Sequence, residues 1–238
     1  MLNTNGAILE DIIRERRFRH VFQPLYVLEN WQIFGYEALL RCEFFQNPEC
    51  LFQWAMAEDK LYDLDICSID RALTSFYVEH TQLFVNAYPS TITHPSFPDF
   101  LEKIRNCSFS NRNIVLEINE AQKVSDVGLL KEKIRFLKSK KYAIALDDFG
   151  KGETSMRTVM ELEPDFVKLD RFYAVDLSVS KEKQNEIQLL LEFCQPRNIY
   201  VVLEGIEEPK DLAMAKALGI HLGQGYLLGK PSPVRGVN

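Results

Sequence analysis

Short runs of β-branched and aromatic residues alternate along this chain with longer stretches in which apolar residues recur every three or four positions. The first two runs, His20–Leu28 and Gln32–Leu40, read as strands joined by a turn near Glu29–Trp31. Further strands are expected at Gln82–Ala87, Asn113–Ile118, Tyr142–Leu146, Asp165–Leu169, Ile199–Leu203 and Gly223–Leu227. Between them the pattern turns helical. Leu130, Ile134 and Leu137 fall on one helix face, as do Leu190, Phe193 and Cys194. Ser96-Phe97-Pro98-Asp99 has the form of a capping box with proline in the first turn.

Strands that are mostly each followed by a helix imply a parallel sheet. About eight such units in 238 residues favour an α/β fold of the closed (β/α)8 TIM type over an open sheet. The first two strands are joined too tightly to be parallel, because a parallel pair needs a long crossover. One antiparallel strand, and so an irregular barrel, is therefore expected. No low-complexity linker or fixed-period repeat interrupts the chain, and residues 1–238 read as one domain. Within it, residues 1–19 are a short helical lead-in with Leu9, Ile12, Ile13 and Arg16 roughly on one side.

The share of hydrophobic residues, 46%, is enough for a large core and too high for disorder. A net charge of −6 argues against a long nucleic acid as partner, since that binding needs clustered cations. Arg14, Arg16, Arg17 and Arg19 come nearest to a cluster but are interrupted by Glu15 and Phe18, and read as a solvated helix face before a strand. No apolar run approaches the roughly 18 residues of a membrane span. Met1–Arg19 lacks the order of a signal peptide, so a cytoplasmic protein is expected. Cys42, Cys50, Cys67, Cys107 and Cys194 share no metal-type spacing and read as reduced thiols.

Placed on this map, polar residues gather at strand ends: Glu37, Asn86, Glu117, Asp147 with Asp148, Lys168, Glu204 and Gln224. In barrels the C-terminal strand ends form the reactive face. One such residue is as readily a helix N-cap; a series on successive strands exceeds what capping explains. Two carboxylates about 4 Å apart repel by roughly 4 kcal/mol at an effective dielectric near 20, so a ring of them calls for a cation. Oxygen ligands favour Mg²⁺ or Mn²⁺ over zinc. His20, His80, His94 and His221 make no ligand pair and read as ordinary surface or core residues. Adjacent Asp147 and Asp148 can serve two metals, a pairing suited to phosphoester hydrolysis. Lys168 inside a strand implies a polar site, where it orients water or offsets phosphate charge; a structural ion pair is the alternative. Asp148-Phe149-Gly150 matches a kinase triplet, but the other kinase motifs and a Walker A sequence are missing.

At these residues the chain resembles the EAL domains, bacterial cyclic di-GMP phosphodiesterases named for the triplet that is here Glu37-Ala38-Leu39. The resemblance runs from about residue 20 to 233 through an ordered set of motifs. They are Gln23-Pro24, Glu37-Ala38-Leu39-Leu40-Arg41, Val85-Asn86, Leu116-Glu117 with Glu120, Asp147-Asp148-Phe149-Gly150, Lys168-Leu169-Asp170, Glu204-Gly205-Ile206-Glu207 and Gln224-Gly225-Tyr226. The resemblance implies an irregular barrel with one antiparallel strand, and hydrolysis of cyclic di-GMP to linear pGpG with two Mg²⁺ or Mn²⁺ ions. It implies that Glu37, Asn86, Glu117 and Asp147 bind one metal, and Asp147, Asp148 and Glu204 the other. Glu37, Lys168 and Glu204 would carry catalysis, with Lys168 holding the attacking water. Gln23, Arg41 and Gln224 would contact substrate, Gln224 also supporting the site as Glu120, Asp170 and Glu207 do.

Two stretches depart from the family pattern. Lys151-Gly152-Glu153-Thr154-Ser155-Met156 stands where Thr-Gly-Tyr-Ser-Ser-Leu is usual, and Asn86-Ala87-Tyr88-Pro89 where Leu-Ser-Pro is usual. The first puts charge into a loop that, by resemblance, links the metal ligands to a homodimer surface. The alternative function is therefore a weak or inactive EAL domain that acts as a cyclic di-GMP receptor or protein-interaction module. No motif names a regulatory protein partner.

Overall fold

The computed structural model describes residues 4–106, 113–118, 126–150 and 156–234. Strands β1 (Phe18–Val27) and β2 (Ile33–Cys42) form the opening hairpin after helix α1 (Thr4–Arg14). α2 (Pro48–Ala57) and α3 (Leu61–Ser75) lead to β3 (Gln82–Ala87), and α4 (Pro89–Thr93) and α5 (Phe97–Asn106) to β4 (Asn113–Ile118). α6 (Val127–Ser139), β5 (Ala143–Phe149), α7 (Met156–Leu162) and β6 (Phe166–Leu169) follow. The last elements are α8 (Arg171–Ala174), α9 (Lys181–Cys194), β7 (Tyr200–Leu203), α10 (Pro209–Ala217) and β8 (Leu222–Gly223).

The eight strands close in chain order into a barrel. β1 is antiparallel to both of its neighbours, β2 and β8, and the other neighbouring pairs are parallel. Apolar residues pack in three places. A main core lies between the strands and their surrounding helices. A smaller plug fills the barrel. A third cluster joins Leu9 and Ile12 of α1 to Phe52 of α2, Leu64 of α3 and Tyr88.

Local sequence accounts for the helices that frame the site. Asp126 caps α6 by accepting from Leu129 N at 2.9 Å, and Leu130, Ile134 and Leu137 bury the expected face. In α9, Leu190 and Cys194 are buried and Phe193 packs partly exposed. Among the described residues no helix is long and apolar enough to cross a membrane.

Most strand ends differ by one or two residues from the sequence reading, and three differences bear on the site. Arg16 lies beyond the end of α1, in a left-handed turn with φ 52, and pairs with Asp70 at 2.6 Å. β5 runs on past Leu146 to Phe149. β8 ends at Gly223 instead of spanning Gly223–Leu227, because the chain leaves the ladder to bond the loop after β7. There Ile206 N donates to Gln224 O at 3.0 Å and Leu227 N to Ile206 O at 3.1 Å.

Candidate active site

The barrel interior generates a polar ring by simple alternation. Its apolar plug includes Leu25 of β1, Phe84 of β3, Val115 of β4, Ala145 of β5, Phe166 of β6, Val202 of β7 and Leu222 of β8. Side chains on one face of a strand recur every second residue. Two positions nearer the C-terminal mouth therefore stand Asn86, Glu117, Asp147, Lys168, Glu204 and Gln224. β1 runs the other way, so its contribution, Gln23, precedes Leu25 by two. Glu37 of β2 faces Gln23 directly across the ladder.

Lys168 is the hub of the ring, its side chain 1% exposed. Its Nζ lies 2.6 Å from Glu204 Oε1, 2.8 Å from Glu117 Oε1, 3.2 Å from Asp147 Oδ1 and 3.6 Å from Glu37 Oε2. Burial is the largest single influence on this amine and acts to lower its pKa. The carboxylates of Asp147, Glu117, Glu204 and Glu37 together outweigh it and hold the pKa well above the usual lysine value. Lys168 is thus a fixed cation. Four carboxylates around one ammonium still leave three negative charges in excess if all are ionised. Glu117 accordingly sits well above the usual carboxylate range, through burial first and the Glu37 and Asp147 charges next, against the pull of Lys168. Burial, with Asp147 and Glu37, likewise pushes Glu204 up to about 8 against Lys168.

Neighbouring amides set the orientation of these carboxylates. Gln224 Nε2 donates to Glu37 Oε2 at 2.8 Å, and Asn86 Nδ2 to Glu117 Oε2 at 3.4 Å. Asp147 and Asp148 meet a different problem, since consecutive strand residues point to opposite faces. The β5–β6 register is irregular between Leu146 and Phe149, and Asp148 adopts φ 54. This local kink lets both aspartates serve one side. Asp147, Asp148 and Glu204 each bring a carboxylate oxygen within 4.8 Å of the others.

The motifs after β7 and β8 interlock, which explains their glycines. A Cβ on Gly225 would fall 2.1 Å from Ile206 O. Gly205 has φ +67, and a Cβ there would meet Arg171 Cγ at 2.3 Å. The two loops hold Glu204 and Gln224 beside each other at the mouth.

The cleft opens on both sides of the ring. One lobe is lined by His20, Arg41, Glu49, Phe52, Asn86 and Tyr88 and reaches Asp147 and Asp148. The other is lined by Gln23, Asp170, Arg171, Glu207 and Tyr226 and reaches Lys168 and Glu204. Arg41 donates to its neighbour's carbonyl, Leu40 O, at 2.8 Å. Gln23 is buried, with Nε2 donating to Gly229 O at 3.0 Å. Gln224 is buried too, its amide committed to Glu37. Asp170 Oδ1 accepts from Phe172 N at 2.7 Å and so starts α8. Glu207 accepts from Arg171 at 3.0 Å. The structure thus brings together Glu37, Asn86, Glu117, Asp147, Asp148, Lys168 and Glu204. Glu120 and the loop Lys151–Ser155 lie outside the described residues.

Among the lining residues to which the sequence reading gave no site role are His20, Arg171 and Tyr226. His20 is a core residue, 3.1 Å from Ser68 Oγ, that also borders the first lobe. Burial, with Arg71 and Arg41, lowers its pKa to about 3, so it stays neutral. Arg171 and Tyr226 border the second lobe. Arg171 directly follows the Lys168-Leu169-Asp170 motif, and that adjacency was the available signal.

The ring suits hard divalent cations. Glu117 Oε1 and Asp147 Oδ1 are buried and, apart from their ion pairs with Lys168, have no hydrogen-bond partner. Oxygen donors with excess negative charge match Mg²⁺ or Mn²⁺.

A family model for the EAL domain matches residues 6–231. The cyclic di-GMP phosphodiesterase NbdA of Pseudomonas aeruginosa is 24% identical over 237 residues, covering 95% of this chain and 30% of NbdA. The protein named probable cyclic di-GMP phosphodiesterase PdeB of Escherichia coli strain K12 is 28% identical over 235 residues, covering 94% of this chain and 45% of PdeB. The chain thus spans less than half the length of these curated relatives. The manganese and cyclic di-GMP complex of Klebsiella pneumoniae BlrP1 superimposes with a TM-score of 0.78 at 23% identity, over 91% of this chain and 56% of that one.

Proposed function

Because the chain belongs to the EAL-domain family, we propose that it hydrolyses cyclic di-GMP to linear pGpG using two Mg²⁺ or Mn²⁺ ions. The observation that carries this reading is the carboxylate ring around buried Lys168 at the barrel mouth. Glu37, Asn86, Glu117 and Asp147 would hold one cation, and Asp147, Asp148 and Glu204 the other. Bound there, the cations would supply Lewis-acid activation of water and offset the phosphate charge.

The protein's own groups have distinct tasks in this reading. Lys168, at hydrogen-bond distance from the carboxylates of the ring, orients the attacking water from Nζ. Glu37 is kept in place by Gln224. Arg41 reaches a phosphate from the first lobe, where a guanidinium's paired donors match phosphate oxygens. Gln23 braces the hairpin side of the mouth through Gly229.

The test is turnover of cyclic di-GMP by the purified chain with excess Mg²⁺ or Mn²⁺, following pGpG. Metal-dependent turnover that disappears in Glu37→Ala is the expected result. A folded wild-type protein that binds cyclic di-GMP but releases no pGpG under either metal would sink the enzymatic reading. It would favour the receptor function to which the charged Lys151–Met156 stretch points.

A further inference from the structure

The buried face of α3 reads Leu61, Leu64, Asp65, Ser68, Ile69, Ala72 and Leu73, so a carboxylate sits inside a largely apolar stripe. Asp65 is 1% exposed, and its Oδ2 accepts from Tyr88 N at 2.8 Å. That amide and the Thr91 hydroxyl favour its charged form, but burial outweighs both and pushes the pKa up to about 7. Neither group is a cation. A carboxyl buried on such terms is costly, where an apolar side chain of similar volume would need no partner. The compensation lies in what the carboxyl holds.

Tyr88 stands where β3 stops. Among the described residues the register with β4 ends at Ala87, opposite Ile118. The Tyr88 N–H then needs another acceptor, and Asp65 supplies it. The Tyr88 carbonyl accepts from Thr91 N and Ile92 N at 3.0 Å and so opens α4. Pro89 follows, offers no N–H and keeps Tyr88 extended, at φ −73 and ψ 144. The Tyr88 ring packs on Phe52 with 5.2 Å between centres. Asn86, two residues back and on the same face of the strand, donates to Glu117 Oε2 at 3.4 Å. A contact that long holds the Asn86 side chain only weakly. The Asp65–Tyr88 bond is the firmer anchor of this strand end.

We infer that Asp65 is a positioning residue for the cation that Glu37, Asn86, Glu117 and Asp147 would hold, acting through the Tyr88 amide on Asn86. The inference rests on the phosphodiesterase reading and adds a residue outside the cleft that sets the strength of one metal site. Asn86 is the uncharged member of that ligand set. It contributes by its aim more than by its charge, and ligands are aimed by the groups behind them.

The experiment is Mn²⁺ titration of the full chain, with free Mn²⁺ read by electron paramagnetic resonance. The proteins are wild type, Asp65→Asn, Asp65→Leu, Asn86→Ala and the double variant Asp65→Leu/Asn86→Ala. Wild type is expected to fill both proposed sites. Asp65→Leu should weaken one site about tenfold and spare the other. Asp65→Asn keeps an oxygen for the Tyr88 amide and should stay within about threefold of wild type. The double variant should bind no more weakly than Asn86→Ala, since both changes act on one ligand. The Tyr88 amide should exchange with deuterium about tenfold faster in Asp65→Leu than in wild type or Asp65→Asn. Melting temperatures confirm folding, and Asp65→Ala takes the place of Asp65→Leu where the larger side chain does not fit.

Wild-type Mn²⁺ affinity in a folded Asp65→Leu would reduce Asp65 to a structural acid and overturn the inference. Equal weakening of both sites, or additive losses in the double variant, would overturn it as well. So would an Asp65→Asn that binds as weakly as Asp65→Leu, because charge and not the bond to Tyr88 would then matter. Wild type that binds no Mn²⁺ would instead bring down the metal-dependent reading beneath it.

Discussion

Gln224 and Glu37 stand 187 positions apart in the chain, and Gln224 Nε2 donates to Glu37 Oε2 at 2.8 Å in the buried mouth of the barrel. The bond spans the antiparallel strand, since β1 lies between β8 and β2. It fixes one oxygen of a carboxylate that must otherwise settle among like charges. Partners of this kind typically change metal affinity or activity by about 10–100-fold when removed. Gln224→Ala should therefore weaken Mn²⁺ binding and cut turnover of cyclic di-GMP by about that range. Turnover within twofold of wild type would show that Glu37 orients without help.

Lys168→Met keeps much of the side chain's volume and removes its charge. Four carboxylates would then share the pocket without their cation. Breaking a buried ion pair in this way costs about 3–5 kcal/mol. The metal-free variant should unfold at clearly lower urea than wild type, and Mn²⁺ should restore part of the loss. Turnover should vanish even with metal present. Unchanged metal-free stability would mean that the carboxylates are already protonated around Lys168.

Glu204 gives the metal-free protein a pH dependence whose sign follows from linkage. Its folded pKa, about 8, lies above the unfolded value of 4.5, so the folded state holds the extra proton between those limits. Stability from this group is fully present below pH 4.5 and is lost as pH rises through about 8. Denaturation of metal-free protein should thus show stability falling by about 1–3 kcal/mol over this window, a range discounted for the partial exposure of Glu204. Glu204→Gln should make the profile shallower, with Glu117 supplying the slope that remains. Metal binding should release protons, measurable as buffer-dependent heat near pH 7. Metal-free stability that rises steadily from pH 5 to 8 would contradict the assignment.

Gly225→Ala tests the interlocked loops. Its methyl group would press on the Ile206 backbone, where no rotamer change can relieve the contact. Overpacking at such a site costs about 1–3 kcal/mol. Because Glu204 and Gln224 flank the joint, turnover should fall as well. Equal stability and activity would mean that the loops separate freely.

The strand register explains why so much of the ring could be read before the fold was seen. Glu117, Lys168 and Glu204 each end or interrupt an apolar run, and their position within it places them beyond the plug by an even number of residues. The tight link from Leu28 to Gln32 likewise announced the antiparallel strand. What stayed hidden depends on contacts between distant segments. Leu146-Asp147-Asp148-Phe149 reads as a strand end, and only the irregular pairing with β6 reveals that the strand continues through the kink. The shortness of β8 follows from Ile206 pulling on Gln224 and Leu227. Arg171 drew no notice in the sequence, because its neighbours Gly205 and Glu207 lie more than 30 residues further along the chain.

The two-residue offset between plug and ring has a consequence for how this chain tolerates change. Removing a single residue between Ala145 and Asp147, or between Phe166 and Lys168, would turn a ligand or the central cation outward, into the greasy layer beneath the helices. Length changes in those segments are thus forbidden singly. The joint between the loops after β7 and β8 is as intolerant of a change in length, because Gly225 packs directly on the Ile206 backbone beside Glu204 and Gln224. The shortest slip inside the barrel would thus unmake the frame that holds the chemistry.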